Sequence, residues 1–362
     1  MRIVLAGGGT AGHIEPALAI AAELETTLLS KKNDIHFVGG FRGLESRLVP
    51  NRGYQLHQID IVGLPRKINL TLFQYPLKLW RAKNALVKLF QEIKPDLLLG
   101  FGGYVAAPSY LAARKLNIPI VIHEANAQPG VANRKAAKFA TLIIDSFAGS
   151  ISNAVTLGVP VRSELRNLNR LEKQAEARDY FGFPRQGKVL LVFGGSQGAE
   201  QINKAVSEIS DQLLEEHINV LHIVGDLNLD RYLSKTGSND ARYKVIGYCE
   251  RMDLAYAAAD LAITRSGALT VAELACVGLP AILVPYPVGN GEQEKNAAEL
   301  VAVGAAQLVL NSDCTGKLML SRIKPLLSNS ELLIRMSDQA KSIARPTAAK
   351  DIVSHLNKLV QK

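Results

Sequence analysis

Two glycine-rich turns and one histidine are the residues whose types and spacing could do chemistry. Gly7-Gly8-Gly9-Thr10-Ala11-Gly12 has the spacing G-x-G-x-x-G, and His13 follows it directly. Glycines at that spacing between a strand and a helix let backbone N–H groups approach an anion at the helix N-terminus. A histidine in the first helical turn lies at the positive end of the helix dipole, which disfavours the imidazolium. A neutral imidazole is what a general base needs near neutrality. The same side chain could equally make only a local hydrogen bond. A dinucleotide site would also want an acid ending the second strand, and Phe37-Val38-Gly39-Gly40-Phe41-Arg42 carries none. Arg42 could instead meet a 2′-phosphate, so an NADP site stays open.

Further polar clusters follow other strands. Leu99-Gly100-Phe101-Gly102-Gly103-Tyr104, His123-Glu124-Ala125-Asn126 and Pro129-Gly130-Val131-Ala132-Asn133 all sit at expected carboxyl ends. Open α/β sheets bind their ligands there. In the second half, Thr264-Arg265-Ser266-Gly267-Ala268-Leu269-Thr270 leaves a strand and opens a helix. The N–H groups of residues 267–270 would point at an anion, so a diphosphate fits without a metal. Glu273 stands three residues after Thr270, which is the capping-box spacing. It could also be a carboxylate that takes both ribose hydroxyls of a nucleotide, and both readings stand. No Asp-x-Asp pair occurs to hold a metal–diphosphate. In the loop 289–296, Gln293 and Asn296 either bond sugar hydroxyls or serve as loop and N-cap residues.

The elements that must position these groups read as two α/β units. Short apolar runs at 2–6, 35–38, 96–99, 120–123 and 141–144 alternate with helical patterns at 14–24, 77–93 and 108–115. Alternation of that kind implies a parallel, doubly wound sheet. The pattern restarts with a strand at 188–193, the loop Gly194-Gly195-Ser196-Gln197-Gly198 and a helix at 199–214. Strands follow at 220–224, 243–246, 261–264, 281–284 and 306–310. The polar stretch 162–185 holds the expected crossover. Arg345-Pro346 should interrupt a helix, after which an amphipathic helix at 348–359 could return to the first domain. The expected fold is α/β, with two Rossmann-like doubly wound parallel-sheet domains facing across a cleft. Residues 1–161 plus 346–362 form one domain and 162–345 the other.

Composition bounds the function. A chain of 362 residues is about twice the usual domain size. With 48% apolar and 21% charged residues, disordered and collagen-like classes are excluded. Mean hydropathy is +0.08, and no run approaches the roughly 18 apolar residues of a spanning helix. The apolar run at 3–6 is cut by Gly7-Gly8-Gly9, as expected of a buried strand and not of a signal peptide. Three cysteines (Cys249, Cys276, Cys314) without a CxxC pair suggest a reduced, intracellular protein with no disulfide framework and no zinc site. Residues 1–161 hold 18 Lys+Arg against 10 Asp+Glu, so nearly all of the net +9 lies in the first half. Such a half suits an anionic partner: nucleic acid, a phospholipid surface or a phosphorylated substrate. No DNA- or RNA-binding motif accompanies the charge.

Taken together, GGGTAGHIEPALAIA (7–21), FGGYVAAP (101–108), HEANAQPGVAN (123–133), GVPVR (158–162), GGSQGAEQIN (194–203), RSGALTVAEL (265–274) and EQEKNA (292–297) carry a resemblance. In order and spacing they are similar to the MurG family, the UDP-N-acetylglucosamine–N-acetylmuramyl-(pentapeptide) pyrophosphoryl-undecaprenol N-acetylglucosaminyltransferases of bacterial cell-wall synthesis. The resemblance covers essentially the whole chain. It implies the two-domain GT-B fold and inverting transfer of GlcNAc from UDP-GlcNAc to the muramyl 4-hydroxyl of lipid I, giving lipid II and UDP. It implies no cofactor and no metal. It gives His13 the deprotonation of the acceptor hydroxyl, with Glu124 beside it as a second catalytic group. Thr10, Ala11, Gly12 and Asn126 match positions around the donor sugar or acceptor. Arg162, Ser196, Gln197 and Gly198 match donor-side positions, and Cys249 falls where a backbone contact reads the uracil. Ser266, Ala268, Leu269 and Thr270 match the diphosphate turn, Glu273 the ribose carboxylate, and Gln293 and Asn296 the sugar-binding loop. Ala125 stands where many members have Gln, and Glu292 where His or Gln is common. A carboxylate at 292 beside a diphosphate would be repelled, so Glu292 is left out of the expected site.

Within 61–94, seven Lys/Arg stand against one acid, Glu92, interleaved with apolar residues that include Trp80, the only tryptophan. Apolar anchors ringed by cations suit a peripheral contact with anionic lipid, with Leu72, Phe73, Leu77, Lys78, Trp80 and Arg81 as the contact. An ordinary core helix with a solvated basic face has the same pattern. The lipid-borne acceptor implied by the resemblance favours the cytoplasmic face of the cell membrane, and leaves room for cell-wall synthesis proteins as partners.

Overall fold

The computed structural model describes every residue except Arg42, Val62, 64–69, Ser196, Gln197, 236–239 and Lys362, and not the side chains of 70–73 and 235. The chain divides into two compact units, Met1–Arg162 with Pro346–Lys362, and Ser163–Arg345.

The first unit is built on strands β1 (Ile3–Ala6), β2 (Ile35–Gly40), β3 (Gln55–Ile59), β4 (Leu97–Gly100), β5 (Ile120–Glu124), β6 (Leu142–Asp145) and β7 (Val155–Thr156). They form one sheet in the order β3-β2-β1-β4-β5-β6-β7, with every neighbouring pair parallel. Side chains alternate across a strand, so a sheet covered on both faces needs apolar residues at every position. β1 does this: Ile3 and Leu5 face a core shared with the helices Ala11–Thr26 and Ala348–Val360. Val4 and Ala6 face the opposite core, which takes Leu86 and Phe90 of the helix Leu70–Ile93 and Tyr110 of the helix Ala106–Lys115. The C-terminal helix therefore belongs to the first unit.

The second unit repeats the plan with β8 (Lys188–Phe193), β9 (Ile218–Ile223), β10 (Tyr243–Ile246), β11 (Leu261–Thr264), β12 (Ala281–Leu283) and β13 (Ala306–Leu308). Its order is β10-β9-β8-β11-β12-β13, again all parallel. Each sheet has one topological switch point, between β1 and β4 in the first and between β8 and β11 in the second. A crevice opens there at the carboxyl ends, because connections leave toward opposite faces.

Several elements differ from the sequence expectation. The helix expected from Leu77 starts at Leu70, with Pro76 inside its second turn. The single helix expected at 199–214 is two, Glu200–Ser207 and Ser210–Glu215, because Ile209 leaves helical geometry (φ −116°, ψ 15°). Strands β3 and β7 were not expected. Both are edge strands, and β3 (Gln55-Leu56-His57-Gln58-Ile59) is largely polar and half solvated, without the apolar run that marks a buried strand. The boundary between units falls after Arg162, one residue later than expected.

One polar knot ties the start of the second unit together. Arg178, on the helix Arg170–Phe181, donates from Nη2 to Asp260 Oδ2 (2.9 Å), from Nη1 to the Arg185 carbonyl (2.6 Å) and from Nε to the Ala258 carbonyl (3.2 Å). Asp260 Oδ2 also accepts the Val189 N–H of β8 at 2.7 Å. Arg178 is 3% exposed, so its charge depends on this partner. Removing one member of a buried pair leaves the other charge uncompensated and a strand N–H orphaned. Asp260→Ala is expected to lower stability by about 3 kcal/mol, read as a lower denaturant midpoint with an unchanged slope.

Candidate functional site

In the first unit the groups at the switch point come from the loop after β1 and the turn after β4. Gly9 takes φ +98°, a left-handed conformation that turns the chain into the helix at Ala11. Thr10 is the N-cap residue and His13 the third residue of the helix. The half-buried His13 ring meets Thr10 Oγ1 at 3.3 Å from Nδ1, and it also hydrogen-bonds the Gly8 backbone. A neutral imidazole that donates to a carbonyl keeps a lone pair on its other nitrogen. Burial lowers the His13 pKa below 6.5, partly offset by the Gly8 bond and by the charge of Glu45. Desolvation, and not only the helix dipole, keeps the ring neutral.

Glu45 is a residue that the sequence reading missed. It is 1% exposed and opens the short helix Glu45–Asn51 after β2. Its Oε2 accepts the Gly9 N–H (3.0 Å), and its Oε1 accepts the Gly40 N–H (2.8 Å) and the Tyr104 hydroxyl (2.8 Å). The acid absent from the end of β2 is thus present five residues later. It faces the glycine loop and fills the Gly9 N–H with an internal anion, which disfavours a dinucleotide pyrophosphate at that position. The available signal was the lone acid between Asp34 and Asp60, set among Gly39, Gly40 and Gly43.

Glu124, expected as a second catalytic group, ends β5 and holds the loop that follows it. It is 3% exposed. Its Oε1 accepts the Asn126 N–H (3.0 Å) and side-chain amide (3.3 Å), while Oε2 accepts the Gly130 N–H (3.0 Å) and Asn133 Nδ2 (2.9 Å). Four donors on two oxygens make this carboxylate the fastener of the loop 124–133, while burial raises its pKa against the pull of those hydrogen bonds. Tyr110 extends the network by donating to Asn133 Oδ1 at 2.7 Å. Asn126, held by Glu124, is half-buried at the loop surface. Arg162, expected among the donor-side groups, is the last residue of the first unit and reaches Glu15 at 4.0 Å, two residues after His13.

In the second unit the turn after β11 opens the helix Ala268–Val277, whose N-cap is Gly267. Thr270 is therefore inside the helix, and the capping-box reading of Glu273 falls away. Glu273 is 6% exposed, and its Oε2 accepts the Tyr256 hydroxyl at 2.8 Å. Ser266 is 0% exposed, and its Oγ has no hydrogen-bond partner among the described residues. An orphaned buried hydroxyl beside free helix N–H groups marks a place where a ligand oxygen would complete the bonding. Behind the turn, Arg265 is pinned by the carbonyls of Val284 (3.0 Å) and Pro285 (3.1 Å) and by Asn311 Oδ1 (2.8 Å). Its fixed positive charge adds to the helix dipole.

The loop 289–296 divides by burial. Glu292 Oε2 accepts the Asn290 N–H at 2.7 Å, so its carboxylate folds onto its own loop. Gln293 Oε1 accepts the Tyr286 N–H at 3.0 Å and stays half-exposed. Asn296, expected to bond a sugar hydroxyl, is 0% exposed, and its amide donates to the Ser266 carbonyl at 3.3 Å. It shapes the turn from behind. Ala268 is buried, and Leu269 and Thr270 are half-buried on the first turn. Cys249 is 7% exposed. Ser196 and Gln197 lie outside the described residues, while Gly198 (φ +75°) closes its turn onto the Gly195 carbonyl at 3.0 Å.

On the helix Leu70–Ile93, Leu77 (51%), Trp80 (58%) and Arg81 are exposed on one face, with Lys78 half-buried beside them. The side chains of Leu72 and Phe73 lie outside the described residues. Among the described residues, no helix is long and apolar enough to cross a membrane.

Comparison with known proteins gives consistent results. Residues 3–144 match the glycosyltransferase family 28 N-terminal domain and residues 189–353 the family 28 C-terminal domain. The UDP-N-acetylglucosamine–N-acetylmuramyl-(pentapeptide) pyrophosphoryl-undecaprenol N-acetylglucosamine transferase of Mycolicibacterium vanbaalenii is 46% identical, over 97% of this chain and 88% of its own length. That of Thermobifida fusca is 44% identical, over 96% and 91%. The crystal structure of Acinetobacter baumannii MurG superposes with a TM-score of 0.76 at 29% identity, covering 98% of this chain and 99% of that one. A UDP-GlcNAc 2-epimerase from Neisseria meningitidis shares the fold, at a TM-score of 0.70, 17% identity and 99% and 100% coverage. Identity of that degree along nearly its whole length makes the chain a member of the UDP-N-acetylglucosamine–N-acetylmuramyl-(pentapeptide) pyrophosphoryl-undecaprenol N-acetylglucosamine transferase family, built from the two domains of glycosyltransferase family 28.

Proposed function

We propose that this chain transfers N-acetylglucosamine from UDP-N-acetylglucosamine to the 4-hydroxyl of the N-acetylmuramyl residue of lipid I, with inversion, forming lipid II and UDP. The observation that carries the reading is the contrast between the two switch points. The first holds a desolvated neutral imidazole, and the second a helix N-terminus beside a buried serine hydroxyl that has no partner among the described residues.

An inverting displacement needs a base for the attacking hydroxyl and a trap for the departing anion. In the first unit, the His13 lone pair takes the acceptor proton as the 4-oxygen forms its bond to the sugar. In the second, the N–H groups at 267–270 and the Ser266 hydroxyl receive the negative oxygens of UDP, with the Arg265 charge behind them. Glu273, oriented by Tyr256, accepts the ribose hydroxyls, and Gln293 addresses the transferred sugar. The acceptor is tethered to lipid, and the exposed Leu77–Trp80–Arg81 face of the first unit rests on an anionic membrane, which makes the chain a peripheral protein of the cytoplasmic face.

Acceptor-dependent release of UDP from UDP-GlcNAc, undiminished by EDTA, is the test of the reading. Release without acceptor, or donor binding with no release onto lipid I, sinks it. His13→Ala should lower kcat by about a hundredfold or more with little change in donor affinity. The lowered His13 pKa puts the acid limb of the wild-type rate below pH 6.5, since activity is lost only as the buried ring finally protonates. That limb should vanish in His13→Ala, and its persistence would remove His13 as the base. Trp80→Ala combined with Arg81→Glu should abolish sedimentation with vesicles of anionic lipid while leaving turnover of a water-soluble acceptor in place.

A further inference from the structure

The geometry points to Glu45 as the positioning residue of the acceptor-side base: its carboxylate fastens the loop after β1 to the end of β2 and to Tyr104, and so fixes where the His13 ring stands. The inference rests on the assignment of His13 above. Three donors from three separate segments, the Gly9 N–H, the Gly40 N–H and the Tyr104 hydroxyl, converge on this one side chain. The surrounding chain makes room for it. A Cβ at Gly8 would come within 2.8 Å of Glu45 Oε1, and one at Gly40 would overlap the Tyr104 hydroxyl. Gly9 leads into the helical turn that carries His13, so a shift of the Gly9 amide moves the ring.

Position and charge are separable consequences. Among the described residues, the groups facing His13 are the Thr10 hydroxyl and the Gly8 backbone on its own loop, Glu45 from the segment after β2, and Gly102 from the turn after β4, whose Cβ would lie 3.6 Å from the ring. Of these only Glu45 is charged, and its negative charge favours the imidazolium, opposing desolvation. A glutamine of the same size must turn its NH2 toward either Gly9 or Gly40, so donor meets donor and one fastening is lost with the charge. The first unit's loop thereby works as a seat for a neutral hydroxyl, since its own anion already occupies the Gly9 amide.

The test compares wild type with Glu45→Gln, Glu45→Asp and Tyr104→Phe, measuring turnover between about pH 5 and pH 9 and the titration of His13 by 15N NMR in the full-length chain. Glu45→Gln is expected to lower kcat by about tenfold or more, leave the KM for UDP-GlcNAc within about twofold, and move both the acid limb and the His13 titration to lower pH. Tyr104→Phe and Glu45→Asp keep the charge and should leave both where wild type has them. An unmoved His13 titration in Glu45→Gln, or a donor KM that rises in step with the loss of kcat, overturns the inference. If Glu45→Gln does not fold, Glu45→Asp carries the test. Its shorter side chain cannot reach Gly9 and Gly40 together, so kcat should fall with the limb in place, and wild-type turnover would refute the role. The NMR titration needs no substrate, so it decides the link between Glu45 and His13 even if lipid I proves not to be the acceptor.

Discussion

A single buried carboxylate governs the first unit's switch point. Glu45 takes hydrogen bonds from the β1 loop, from the end of β2 and from Tyr104 after β4. Parallel strands register only through their ladders, and the loops beyond their carboxyl ends have no ladder to hold them. A charge-assisted fastening across three loops supplies that registration. It also takes up one amide of the glycine loop. G-x-G-x-x-G usually leaves its amides to a phosphate, but here the Gly9 amide is bonded from within, and the ring next to it is neutral.

The second unit has the same topology and the opposite electrostatic solution. Its turn after β11 has no internal anion among the described residues. Ser266 keeps a buried hydroxyl without a partner, and Arg265 stands behind it as a pinned cation. Two Rossmann-like units with one architecture thus differ in their charges: one holds a desolvated imidazole beside a buried carboxylate, the other a pinned guanidinium behind a helix N-terminus. The difference follows from where each unit spends its charged side chains, not from the fold.

Much of this was legible in the sequence. The apolar runs of β1, β8 and β11 and the glycine turns after them announce buried parallel strands and their carboxyl-end loops, and the structure puts them there. Edge strands escape such reading because β3 is half solvated and its side chains need not be apolar. Roles were less legible than places. Glu124 and Asn296 were singled out for polarity at the right ends of strands, but burial turns both inward, onto the loop 124–133 and onto the Ser266 carbonyl. Glu45 escaped for the converse reason: its partners are backbone amides distant in sequence, and no spacing rule anticipates them.

The basic excess of the first half can now be located. If it served to bind a phosphate in the glycine loop, cations would gather there, whereas the charge that His13 feels is the carboxylate of Glu45. Of the seven Lys/Arg at 61–94, Lys78, Arg81, Lys83 and Lys88 stand on the helix Leu70–Ile93. There the exposed Leu77, Trp80 and Arg81 share a surface, while Ala82, Leu86 and Phe90 face the core. Apolar side chains flanked by cations on one face of a helix form the kind of surface that an anionic interface would accept.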